Sequence, residues 1–286
     1  MKAMPQAVRW WIAPPEPDES IGSWVARAAV FFERHPLALW ADLLGIPDGR
    51  AVDMDDPPAW ALVRLARATG MSPRQLYTHR LADAPWLLAQ HARRVYCPSC
   101  LSERGGEVLV RQRKWFGCLR TACPTHRVPL LAWEERKAPI PWSTDYLGPA
   151  EQAILDLIER VGSTLEDCLT GQAEWPSDWR GDALAARTTL LRLCINYGAW
   201  RSHAGVADVL APPLLRGLIH GPTHRMDPRR KPIWDDFRAI VDPAVRRAAL
   251  WVVAWKVIPG LGNRFRPGWF IAEPDNVPSE REVAVP

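Results

Sequence analysis

Cys97-Pro98-Ser99-Cys100 and Cys123-Pro124-Thr125-His126 lie near the middle of this 286-residue chain, with 22 residues between them. Each pair sits on a short turn that aims two donor side chains at one point. The connection between them is long enough for the second turn to return and complete a tetrahedron. Pro98 and Pro124 stiffen the turns and reduce the entropy lost on closure. Cys97, Cys100, Cys123 and His126 therefore predict one structural zinc site. Three thiolates and one imidazole fill all four positions, leaving none for an activated water, so the pattern argues against a zinc enzyme. Cys118, five residues before Cys123, is an alternative ligand on spacing. Cys168 and Cys194 fall in apolar helical patterns and read as small core residues.

Working outward, the zinc segment is a basic island. From His91 to Lys137, ten Lys or Arg stand against four acids, whereas residues 1–60 hold five basic and nine acidic residues. The overall charge of +4 is modest, so this uneven distribution carries the information. It suggests a polyanion partner at the knuckle and a different, protein partner at the acidic N-terminus.

The flanks read as helical. Asp18 offers an N-cap for a helix whose inward face holds Ile21, Trp24, Val25, Ala28, Phe31 and Phe32. Pro36 opens a second helix, with Leu37, Trp40, Leu43 and Leu44 inward, and Gly45 ends it. The acidic loop 48–58 reads as a solvated turn, since Asp53, Asp55 and Asp56 lack the ordered loop of an EF-hand. Within residues 58–81, Leu62, Leu65, Ala66 and Thr69 share a face, Gly70 breaks the helix, and Ser72-Pro73 starts another on which Leu76 packs back. That is the pattern of a helix-turn-helix. Its second helix would present Arg74, Gln75, Thr78, His79 and Arg80 to nucleic acid, with Arg111, Arg113 and Lys114 of the zinc segment as further cationic or phosphate contacts.

After a linker at 141–148, Pro149 starts a long helix burying Ile154, Leu155, Leu157, Ile158, Val161, Leu165 and Leu169. Helices are expected at 182–200, 205–210 and 213–220, then a basic proline-rich turn at 224–232, a last helical unit at 233–257 and a disordered tail. The fold class is thus mainly α. Residues 1–57 form an N-terminal helical docking region, 58–90 the helix-turn-helix, 91–137 the zinc ribbon, 138–271 a C-terminal helical domain and 272–286 the tail. No apolar run spans a bilayer and no signal-peptide h-region is seen, so a cytoplasmic protein with no membrane partner is expected. Metal explains the cysteines better than disulfides do, which suits a reducing compartment. No phosphate-binding loop, metalloprotease helix or strand-rich carboxylate scaffold is present, so no catalytic residues and no enzymatic activity are expected.

The run Pro17-Asp18-Glu19-Ser20-Ile21-x-Ser23-Trp24-x-x-Arg27 resembles the opening motif of the TniQ family. So do Cys97 to Leu101, Val110-Arg111 with Trp115, and the Cys123–His126 turn followed by Leu130 and Leu131. The resemblance covers about residues 5–135. It implies a non-catalytic adaptor for transposition target selection. Such an adaptor would bind attachment-site DNA or an RNA-guided CRISPR effector complex and recruit an AAA+ ATPase. It also implies that Pro17, Asp18, Glu19 and Ser20 face the ATPase. Many relatives carry a further Cys-x-x-Cys where this chain has Trp133-Glu134-Glu135, so a second zinc site is not expected. The alternative reading is a zinc-containing helix-turn-helix transcriptional regulator, which would act as a homodimer on two half-sites.

Overall fold

A computed structural model of the chain describes residues 12–81, 86–104, 110–132, 148–195 and 237–261. The helices expected at 205–210 and 213–220, the turn at 224–232, the tail, and Trp133-Glu134-Glu135 lie outside the described residues. The chain is mainly helical, with a single two-stranded sheet among the described residues.

Helix α1 (Ile21–Phe31) is capped by Ser20, whose hydroxyl accepts from Ser23 N at 3.1 Å. The cap expected at Asp18 is therefore corrected. Asp18 takes a left-handed φ of 64° and its carbonyl accepts Arg113 N at 2.7 Å, two residues ahead of the cap. Helix α2 (Pro36–Leu44) opens on its proline and stops at Gly45, where φ is 61°, a conformation glycine adopts without steric cost. Helices α3 (Ala59–Thr69) and α4 (Pro73–Tyr77) pack on each other as a hairpin turning at Gly70. Ser72 and Gln75 make a capping box at the start of α4. Together α1–α4 enclose Ile21, Trp24, Val25, Ala28, Trp40, Leu44, Leu62, Leu65 and Leu76. Phe31 does not join them: it is 62% exposed, because it is the last residue of α1 and the chain turns away at Glu33.

Strand β1 (Val95–Tyr96) pairs antiparallel with β2 (Leu131–Ala132), and α5 (Pro98–Glu103) follows β1 directly. Tyr96, Leu101, Trp115, Phe116, Val128 and Leu130 fill a small core around this sheet.

Helices α6 (Pro149–Leu169), α7 (Ala183–Ile195) and α8 (Pro243–Val257) pack on one another. The apolar stripe of α6 faces inward as its periodicity predicts. Leu184 on α7 is 61% exposed rather than buried, and Cys168 is half-buried near the end of α6 rather than in the core. The core of these helices also takes in Leu88, Ala92, Cys118 and Leu119 from the ribbon segment. Its apolar packing thus continues up to the base of the loop that carries half of the candidate metal ligands. Among the described residues no helix is long and apolar enough to cross a membrane.

Candidate metal centre

Cys97 caps α5, and its sulfur accepts from Cys100 N at 3.4 Å. This short contact is what the Cys-Pro-x-Cys spacing predicts, since one helical turn brings both sulfurs to the same side. The second turn is closed by Arg127 N to Cys123 O at 2.7 Å, with Arg127 at φ 55°. Cys97, Cys100, Cys123 and His126 come together with all four donor atoms within 4.8 Å of one another. His126 Nδ1 lies 3.6, 3.2 and 3.7 Å from the sulfurs of Cys97, Cys100 and Cys123, and the last two sulfurs are 3.9 Å apart. A tetrahedron with ligands about 2.0–2.3 Å from its centre has edges of roughly 3.3–3.8 Å, so the cluster has the size of one metal ion's ligand shell. All three cysteines are buried. The group can hold one metal ion with no position left open.

Cys118 is outside this group. Its N–H donates to Trp86 O at 2.6 Å and its side chain sits in the helical core, so the alternative ligand is set aside. Glu103 is the residue the spacing did not single out. It accepts from His126 Nε2 at 2.8 Å, which orients Nδ1 toward the sulfurs and raises the basicity of the ring. Its place three residues after Cys100 on a short helix is the signal that could have found it.

The thiols are unequal. Hydrogen bonds from Cys100 and Cys97 hold the Cys123 thiol far below the ordinary thiol range, favouring its thiolate. Cys97 is pushed up by its hydrogen bonds to Cys100 and Cys123 and by burial. Cys100 is pushed up to about 12, chiefly by its bond to Cys123. Burial opposes the charged form of His126, but Cys123 and Glu103 outweigh it and raise the ring. Cys97, Cys100 and His126 are all raised, so protons must leave the cluster when metal binds. Metal affinity is therefore expected to rise with pH through the neutral range, measured by competition with a chromophoric chelator. A pH-independent affinity would contradict this.

The opening motif is built inward. Glu19 is fully buried. Its carboxylate accepts from Glu16 N at 2.9 Å, Ser23 Oγ at 3.2 Å, and Arg27 Nε and Nη2 at 3.3 and 2.8 Å. Its carbonyl lies 3.0 Å from His79 Nδ1. Ser20 N donates to Arg111 O at 3.1 Å, and Arg111 N donates to Ser23 Oγ at 2.8 Å. The motif thus clamps α1 onto the segment leading into the ribbon. Glu19 and Ser20, expected to face a partner, are corrected to internal residues. Only Pro17 and Asp18 of that set are exposed.

The expected nucleic-acid contacts divide likewise. Arg74, Gln75, Thr78 and Lys114 are exposed. His79 is engaged by Glu19, and Arg80 pairs with Asp56. Arg111 lies 5.8 Å over the Phe116 ring. Arg113 donates to the Thr78 carbonyl and lies 3.3 Å from Asp18, which also sits 3.6 Å from Lys114. The acidic loop is engaged too, Asp53 pairing with Arg93 at 2.6 Å. These bonds fasten the acidic N-terminal region to the basic ribbon, so much of the charge contrast in the sequence is neutralised internally.

The ribbon thus brings together a buried Cys3His group that could hold one metal ion, with Glu103 bonded to its histidine. Residues 11–130 match the model of the TniQ family, so over that span the chain carries a TniQ domain. The match runs from just before the Glu19 clamp to the end of the loop carrying Cys123 and His126. No curated protein matches the chain, nor does any solved structure.

Proposed function

We propose that this chain is a non-catalytic adaptor in DNA transposition. It binds target-site nucleic acid or an RNA-guided effector complex and recruits an AAA+ ATPase, with one zinc ion holding its central ribbon. The observation that carries this reading is the TniQ domain at residues 11–130, which contains the whole Cys3His group. The donor set supports zinc, which favours tetrahedral sulfur and nitrogen ligands. A filled four-ligand shell supports a structural role for that ion. Arg74, Gln75, Thr78 and Lys114 are the exposed members of the nucleic-acid set, and Pro17 with Asp18 the exposed members of the partner set.

The regulator reading is weaker. Helix α4 has five residues and spans about 7.5 Å, a small element with which to fill a DNA groove. Pull-down of the tagged full chain from its native host tests the proposal, reading proteins by mass spectrometry and nucleic acids by sequencing. An AAA+ ATPase is expected to co-purify, and Arg74→Glu to reduce the nucleic acid recovered. Recovery of a discrete duplex site with no ATPase would overturn the adaptor reading in favour of the regulator.

A further inference from the structure

Two adjacent arginines on α8, Arg246 and Arg247, are buried to 0% and 1% exposure. Arg246 reaches the segment just ahead of the loop that carries Cys123 and His126, and Arg247 reaches the loop itself. Arg246 Nη1 donates to Cys118 O at 3.3 Å, while its Nε and Nη2 find no hydrogen-bond partner. Arg247 is used more fully. Its Nη1 donates to Thr121 O and to Leu130 O, both at 2.9 Å. Thr121 and Leu130 are the two ends of the ligand loop, and Leu130 N also donates to Thr121 O at 2.9 Å. One guanidinium nitrogen thus ties the loop shut at its base.

The opposite side of that base is held by α6. Glu159 accepts from Thr121 N and Oγ1 at 2.8 and 2.7 Å. A Cβ on Gly162 would come within 2.3 Å of the Leu119 carbonyl oxygen, so glycine is needed for α6 to pass so close. Cys118 and Leu119 complete the seat by packing among the residues of α6 and α8. The C-terminal helices lie beyond the span that matches the family model, yet they hold the loop bearing half of the metal ligands.

We infer that Arg247 is a positioning residue for the metal centre, and that through it metal occupancy is coupled to the packing of the C-terminal helices. A buried guanidinium is tolerated where carbonyl oxygens are fixed to receive it. Metal bound to Cys123 and His126 fixes the ligand loop and keeps the Thr121 and Leu130 carbonyls in place. Without metal the loop is free to spread, and Arg247 loses the two carbonyl bonds that fix it to the base of the loop. Metal loss at the ribbon is thereby transmitted to α8.

The inference rests on the metal reading of the Cys3His group, and the test separates the two. The full chain is loaded with zinc ions, or stripped by chelator, and followed by hydrogen–deuterium exchange. Amides of α8 are expected to exchange at least ~10-fold faster after stripping. Arg247→Met should weaken zinc binding by about 10–100-fold, with Arg247→Lys in between, because one ammonium serves the two carbonyls less well. Arg246→Met removes a buried charge that makes one long bond, and should leave zinc affinity within about 3-fold. Unchanged zinc affinity in a folded Arg247→Met chain would overturn the inference. Should that variant fail to fold, the exchange comparison on the unaltered chain decides, and α8 protection indifferent to zinc overturns it. A chain that takes up no zinc overturns the metal reading, and the latch with it.

Discussion

Replacing Cys123 by serine is expected to abolish metal binding and unfold the ribbon. The binding free energy of a structural zinc site is about 10–16 kcal/mol, comparable to the whole stability of a typical domain. The ribbon's own regular structure is slight: its sheet has two residues on each strand. Its apolar core is small and shares Cys97, Cys100 and Cys123 with the ligand set. Circular dichroism, limited proteolysis and zinc content on the same preparation check the outcome. Cys118→Ala is the control. Its sulfur is as buried as the ligands but lies outside the cluster, so this variant should keep its zinc.

Glu19→Ala should cost about 3–5 kcal/mol, the loss expected when one partner of a buried charge pair is removed. Glu19 and Arg27 have side-chain exposures of 0% and 21%, so solvent screens the pair only slightly. Truncation also removes the acceptor to which Glu16 N–H and the Ser23 hydroxyl donate. The damage should reach beyond α1, because the same segment bonds Arg111, Arg113 and His79. Chemical denaturation will show a lower midpoint, and proteolysis will show the N-terminal helices released from the ribbon. Glu19→Gln keeps the shape and should lose less. An Ala variant as stable as the parent would mean that this clamp does not hold the two regions together.

The features legible in the sequence were those set by residues close together in the chain. Cys97-x-x-Cys100 and Cys123-x-x-His126 each specify a turn by themselves, and Pro36, Gly45, Ser72 and Pro73 mark helix ends by backbone rules. Positions governed by distant partners were not legible. Asp18 and Ser20 both qualify as caps on local grounds. Ser20 takes the role because the backbone at 18–20 is bonded to residues 111–113. Glu19 reads as a surface acid until Arg27, Ser23 and a buried seat are assembled around it. The hairpin at 59–77 was visible from Ala66 and Gly70. The shortness of α4 was not, since it reflects Leu81 N bonding to Asp55 O and Arg80 pairing with Asp56. Arg246 and Arg247 look like solvent-facing charges on α8, and the carbonyls that receive them lie more than a hundred residues earlier.

The most direct test of the account is zinc K-edge X-ray absorption on the purified full chain, with zinc quantified on the same sample. The account predicts one zinc per chain, bound by three sulfurs at about 2.3 Å and one nitrogen at about 2.0 Å with no water ligand. Well under one zinc in a stably folded chain, or a shell with an open or oxygen-filled position, would contradict it.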